Sequence, residues 1–194
     1  MSTKKYNVGV IGYGWAAGAH IDAINATDKA LVTAVYSSRK LDDAEVSKKH
    51  GTNIKTYTDL DKMLANDDIQ VVDVSSYPSQ HSAQAIAAAN AGKHLILERP
   101  MANTLKECRD IVAAAEKNKV RGCVCFECRW SNQFTVTNSV IKEGLLGDLH
   151  YAEVDYYHGI GPWYGQFRWN TGKDAGGSSL LSAGCHALDA LLLC

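Results

Sequence analysis

Two rhythms of apolar residues alternate along the first two thirds of the chain. Short, nearly continuous apolar runs, the pattern of strands buried on both faces, predict strands over residues 7–11, 31–36, 69–75, 94–98 and 120–126, with a short one near 54–57. Between them, stretches with helical spacing predict helices running to Ala26 and over residues 41–50, 60–65, 79–91 and 105–118. In the last of these Leu105, Cys108, Ile111, Val112 and Ala115 share one face, Thr104 and Glu107 form a capping-box pair, and Gly92 closes the helix before it. Strand and helix alternating through short connections predict an α/β fold, a doubly wound parallel sheet covered by helices on both faces.

The pattern changes after Phe126. Residues 131–143 read as a helix ended by Gly144, and residues 149–158 as a strand in which Tyr151, Glu153, Asp155 and Tyr157 alternate with Ala152, Val154 and Tyr156. A Trp- and Gly-rich loop over 159–177 leads to an apolar segment, 178–193, that reads as a core helix and runs into Cys194 without cap or polar tail. The expected organisation is therefore a first domain over residues 1–126 and the beginning of an α+β second domain over 127–194. One strand does not make a sheet, so the chain is expected to be the front part of a longer polypeptide.

Chemistry enters at the first strand end. The run Val8-Gly9-Val10-Ile11 passes directly into Gly12-Tyr13-Gly14-Trp15-Ala16-Ala17, a strand, a tight glycine turn and a helix start in the order a dinucleotide pyrophosphate needs. Gly12 permits the turn, Gly14 removes a Cβ from the path of a phosphate, and small Ala17 lets the helix approach the strand. The free N–H groups and positive end of that helix then face the anion.

Composition narrows the setting. A net charge of −1 and a pI near 6.6 give no electrostatic footprint for nucleic acid or an anionic membrane. The polar stretch before Asn7 lacks a signal-peptide core, no apolar run approaches a membrane span, and a cytoplasmic location is expected. Six cysteines are present, and in a cytosol they are expected to be reduced. Cys123, Cys125 and Cys128 lack the paired spacing of zinc ligands, and Cys123 and Cys125 read as ordinary strand residues; no metal is expected.

Three further motifs join the glycine turn: Tyr77-Pro78-Ser79-Gln80-His81, then Ala91-Gly92-Lys93-His94-Leu95-Ile96-Leu97-Glu98-Arg99-Pro100, and last Gly176-Gly177 followed by Gly184-Cys185-His186-Ala187-Leu188-Asp189. Together they resemble the Gfo/Idh/MocA family of NAD(P)-dependent oxidoreductases, and the resemblance runs from Asn7 to the end. It implies a Rossmann domain, a second α+β domain, a sugar- or polyol-like small-molecule substrate and a homo-oligomer at full length. It also implies that the nicotinamide lies near Glu98, Arg99 and Pro100. Two positions depart from the family pattern. Arg99 stands where the family has lysine, and Ser182 where it has an aspartate before the histidine. Guanidinium does not give up its proton, so Arg99 can polarise a substrate oxygen but not act as a base. His186 is then the best proton carrier. His81, at another strand end, is a candidate for contact with cofactor or substrate. His20 reads as structural. His158, Trp163, Tyr164 and Trp169 suit a sugar pocket without individual roles, and Lys173 and Asp174 are positional replacements for the missing lysine and aspartate.

The second strand ends in Tyr36-Ser37-Ser38-Arg39-Lys40, where NAD-preferring proteins place a carboxylate for the ribose. The hydroxyls of Ser37 and Ser38 and the charges of Arg39 and Lys40 suit a 2′-phosphate, which favours NADP over NAD. The alternative has Asp42 or Asp43 reaching back to the ribose. The activity expected is hydride transfer between NAD(P) and an alcohol or ketone of sugar or polyol type. Its rivals are a redox-assisted lyase or glycosidase that keeps its cofactor, and a regulator that binds NAD(P) without turnover.

Overall fold

The computed structural model describes residues 5–157, 159, 161, 172, 175 and 177–193. The chain divides into two units, residues 1–124 and 125–194.

In the first unit six strands form one sheet: β1 (Tyr6–Ile11), β2 (Ala30–Tyr36), β3 (Lys55–Tyr57), β4 (Val71–Val74), β5 (His94–Glu98) and β6 (Gly122–Cys125). Their order is β3-β2-β1-β4-β5-β6, and the registers of β1 with β2 and β4, β2 with β3, and β4 with β5 are all parallel. Helices α1 (Trp15–Asn25), α2 (Asp43–His50), α3 (Leu60–Leu64), α4 (Pro78–Asn90) and α5 (Leu105–Lys117) supply the crossovers. The predicted doubly wound arrangement is what forms.

Side chains on alternate sides of the strands feed two cores. Val8, Val10, Val32 and Val35 pack with Ala17 and Ile21 of α1 and Val46 of α2. Ile11, Val72, Val74, Leu95 and Leu97 pack with Met63 of α3, Ala85, Ala88 and Ala89 of α4, and Ile111 of α5. Burial of such side chains on both faces is the main favourable contribution to folding, about 1.5–3 kcal/mol for each large one. Local signals set the helix ends. Asp42 accepts from the N–H groups of Ala44 and Glu45, Pro78 opens α4, Gly92 takes a φ of 72° beyond its end, and the Thr104–Glu107 capping box is complete.

The second unit contains a 3₁₀ turn (Glu127–Trp130), α6 (Asn132–Lys142) capped by Ser131, a π-helical turn (Leu180–Gly184) and α7 (Cys185–Leu193). The helices predicted over 131–143 and 178–193 are present. The strand predicted over 149–158 is not: residues 149–157 form no strand, and His158 lies outside the described residues. Alternation assigns faces to a segment but does not supply the neighbouring strand that completes a ladder, and no described residue pairs with it.

Candidate functional site

Strand order reverses between β1 and β4, since β2 and β3 follow on one side and β5 and β6 on the other. In such sheets the loops leaving the two central strands diverge and open a crevice at their carboxyl ends. Gly12 leaves β1 there with φ +106°, a conformation that L side chains rarely adopt, and a Cβ on it would stand 2.7 Å from the carbonyl oxygen of Ser75 beyond β4. The turn is pinned by Gly12 N–H donating to Tyr36 O at 2.9 Å and Ser75 N–H donating to Ile11 O at 2.9 Å. Gly14 precedes α1 and differs from Gly12. Its φ of −113° is ordinary, and a Cβ on it would meet nothing within 4 Å. The glycine therefore leaves space that the protein itself does not fill. Among the described residues no side chain caps α1, and its first turn holds no acidic residue to offset that positive helix end. Ala17 is fully buried against β1, as expected.

The end of β2 folds onto this turn. Arg39 donates from Nη2 to the carbonyl of Tyr13 at 3.1 Å, while its own N–H donates to Ser37 Oγ at 3.2 Å. Ser37 is buried and Ser38 exposed. Beside them Tyr13, Lys40 and Lys49 line a concavity together with the carboxylates of Asp42 and Glu45, with Lys49 Nζ 5.3 Å from the centre of the Tyr13 ring. Of the two carboxylates that had an alternative claim on a ribose, Asp42 borders this concavity and both make local hydrogen bonds. Asp42 caps α2, and Asp43 accepts from the N–H of Thr56 at 3.0 Å and from its hydroxyl.

At the ends of β4 and β5 the structure assembles a polar cluster that sequence reasoning missed. His20, on α1, donates from Nδ1 to Asp73 Oδ2 at 2.8 Å and from Nε2 to Glu98 Oε1 at 3.1 Å. Ser75 donates to the other Asp73 oxygen at 3.0 Å. Burial opposes a charge on His20, but the hydrogen bonds to Asp73 and Glu98 and their negative charges outweigh it and raise its pKa to about 10. Burial likewise works against the Glu98 carboxylate, yet the bond from His20, the charges of Arg99 and His20 and the Arg99 N–H bring its pKa below the ordinary value. A signal was available, because Asp73 interrupts the apolar run Val71–Val74, and a carboxylate at the centre of a core strand demands a partner.

Glu98 Oε2 accepts the main-chain N–H of Arg99 at 2.8 Å and lies 3.8 Å from its Nε. The Arg99–Pro100 peptide is cis. His81 is 1% exposed, with Nδ1 2.9 Å from Pro100 O and Nε2 3.1 Å from Ser76 O. Both ring nitrogens thus face main-chain carbonyls, and His81 ties the loop after β4 to the loop after β5.

In the second unit His186 is 2% exposed, with Nε2 3.4 Å from Glu127 Oε1. Its ring centroid is 5.2 Å from that of Tyr156 and 6.3 Å from that of Phe126. Glu127, Cys128 and His186 each present a ligand-type atom, all within 4.8 Å of one another. This is a different trio from the three cysteines weighed on spacing alone. Asp189 is held by Arg129 through Nε at 2.7 Å and through Nη2. Among the described residues, no disulfide involves Cys108, Cys123, Cys125, Cys128 or Cys185. Trp163, Tyr164, Trp169, Lys173 and Asp174 lie outside the described residues. Among the described residues no helix is long and apolar enough to cross a membrane.

A parallel sheet that reverses order beside a glycine turn, with an open helix start behind it, defines a Rossmann protein of the NAD-binding class. Residues 6–126 match an oxidoreductase family with that fold, and the chain belongs to this family, Gfo/Idh/MocA. An uncharacterized oxidoreductase of Synechocystis is 30% identical over 97% of this chain and 52% of its own length. The scyllo-inositol 2-dehydrogenase (NADP(+)) of Bacillus subtilis is 27% identical over 95% of this chain and 50% of its own. The aldose-aldose oxidoreductase of Caulobacter crescentus superposes with a TM-score of 0.86 at 25% identity, covering 98% of this chain and 57% of that one. The chain thus spans about half the length of the relatives it matches.

Proposed function

We propose that the full-length protein transfers a hydride between NADP(H) and the alcohol or carbonyl of a sugar or polyol. The observation that carries this is the open position at Gly14, where a Cβ meets nothing within 4 Å at the start of a helix that has no side-chain cap. Backbone N–H groups and a positive helix end there suit a pyrophosphate. The scyllo-inositol and aldose oxidoreductases among its relatives support the substrate class.

Ser37, Arg39, Lys40 and Lys49 would hold the 2′-phosphate. Arg39 already lies across the glycine turn, and Asp42 and Asp43 are engaged in local structure, which supports NADP over NAD. A name that specifies NADP(+) for the Bacillus subtilis relative points the same way. NADP(H), when bound, supplies or accepts the hydride. Arg99, permanently charged, would polarise the reacting oxygen and stabilise negative charge on it. His186 would exchange the hydroxyl proton, with the Glu127 carboxylate orienting its ring. His81 would keep the loops after β4 and β5 in register. The same proposal sets residues 127–194 as the start of the substrate domain and the protein in the cytoplasm, a homo-oligomer at full length.

The test is a panel of inositols and aldoses offered to the full-length protein with NADP+, followed by reduced-nicotinamide absorbance. Substrate-dependent reduction supports the proposal. Product formation with retained cofactor and no net reduction would show the lyase or glycosidase rival instead, and binding without any turnover the regulator.

A further inference from the structure

We propose that His20 is a positioning residue for Arg99, acting through the carboxylate of Glu98. The inference rests on the role proposed for Arg99 and extends it to a residue on α1 that touches neither substrate nor cofactor in that scheme.

The geometry divides the work of Glu98 between its two oxygens. Oε1 accepts from His20 Nε2 at 3.1 Å, and Oε2 accepts from the Arg99 N–H at 2.8 Å. Turning the carboxylate to keep one bond breaks the other, so the His20 ring sets the angle at which the chain enters Arg99-Pro100. His20 is itself held, since its Nδ1 donates at 2.8 Å to Asp73, a residue with no exposed surface whose second oxygen is taken by Ser75. Carboxylate oxygens only accept, so a ring with one on each side carries protons on both nitrogens.

Charge makes the same argument from the other direction. His20 is a cation between two carboxylates at the ends of neighbouring strands. Without it, the carboxylates of fully buried Asp73 and partly buried Glu98 lose the cation between them, and the guanidinium of Arg99, with Nε already 3.8 Å from Glu98 Oε2, is the cation at hand. It would be drawn onto Glu98 and away from the reacting oxygen. The groups facing His20 are Asp73 of β4, Ser75 just beyond it, and Glu98 of β5. Cys123 from β6 stands nearby, its thiol pushed up by burial and then by the Asp73 charge. The raised His20 pKa agrees with this arrangement.

The experiment compares His20→Gln, Arg99→Ala and the double variant in the full-length protein, using the best substrate of the panel. His20→Gln should lower kcat about 10- to 100-fold, as expected when a reacting group is displaced by about an ångström, with the KM for NADP+ changed less than about threefold. The double variant should be no slower than Arg99→Ala, because His20 acts only through that side chain. Losses that multiply, or an unchanged kcat in His20→Gln beside a slowed Arg99→Ala, would overturn the inference and leave the role of Arg99 standing. An Arg99→Ala enzyme with normal kcat would remove that role and the inference with it. Side-chain ¹⁵N NMR of the wild-type protein tests the premise without relying on a variant's folding. Both His20 nitrogens protonated at about pH 8 support it, and a neutral tautomer at that pH overturns it.

Discussion

The two units bury different things. In residues 1–124 the inaccessible side chains are mostly aliphatic and sit in two layers against a sheet, whereas in the described part of 125–194 they are His186, Asp189 and Ala190. α6 buries no side chain, and Leu180, Leu188 and Leu192 are exposed. The first unit is therefore held by area removed from water. Among the described residues of the second, the buried polar side chains have charged or aromatic neighbours: Asp189 with Arg129, and His186 with Glu127 between two aromatic rings. Hydrophobic packing tolerates exchange for an apolar side chain of similar volume, while a buried polar residue depends on its specific partner. Polar groups buried where little apolar packing requires them are the better candidates for chemistry.

The largest effect should come from the second unit and appear in rate. His186→Ala in the full-length enzyme should lower kcat by about 10² to 10⁴ and flatten the pH profile in the range where histidine titrates. Near wild-type kcat would move the proton carrier elsewhere, Lys173 being the next to test. The first unit should answer in stability. Leu97→Ala, fully within the sheet, should cost about 2–5 kcal/mol in denaturant unfolding, against less than about 0.5 kcal/mol for exposed Val136→Ala of α6. Equal costs would abolish the contrast drawn above. Next, Arg39→Ala should weaken NADPH by about tenfold or more and NADH little, by loss of a charge-assisted phosphate contact of about 1.5–3 kcal/mol. An equal loss for both cofactors would remove Arg39 from phosphate recognition. Thr104→Ala should cost about 1 kcal/mol through the capping box, with no change in activity.

Acid–base linkage offers a finer probe of the first unit. His20 binds its proton more tightly folded than unfolded, with a pKa raised from 6.5 to about 10. Its contribution is therefore complete below the unfolded value and is lost as pH rises toward the folded one. Urea midpoints taken from neutral to alkaline pH should fall, and the fall should be shallower in His20→Gln.

Legibility followed the same division. The order of strands and helices in the first unit was readable because each element carries its own period and its own caps, as with Thr104–Glu107 and Gly92. Gly12, Gly14 and Ala17 could be placed because the glycine turn is local. His20 could not, because its partners lie on β4 and β5, far off in sequence, and a lone histidine on a helix gives no hint of two carboxylates. The surroundings of His81 were hidden for a related reason. Its position near a strand end was legible, but the two carbonyls beside its nitrogens arise from the path of two loops. The pairing of Arg129 with Asp189 was likewise beyond a spacing argument. Residues 149–157 show the converse, a sound period-two pattern with no described neighbour to complete a ladder.

The glycine turn offers the most direct test of the whole account, because its two glycines should fail differently. Gly12 is required by the fold, with a positive φ and the Ser75 carbonyl at 2.7 Å from any Cβ, whereas Gly14 has an ordinary φ and open space around it. Gly14→Val should then fold, at a cost of about 1 kcal/mol or less for a poorer N-cap residue, and lose its cofactor. The decisive measurement is calorimetric titration of the full-length Gly14→Val protein with NADPH beside the wild type. An affinity lower by at least about tenfold with the melting temperature nearly unchanged is the predicted result. Undiminished NADPH binding in a folded Gly14→Val protein would contradict the placement of the dinucleotide at this turn.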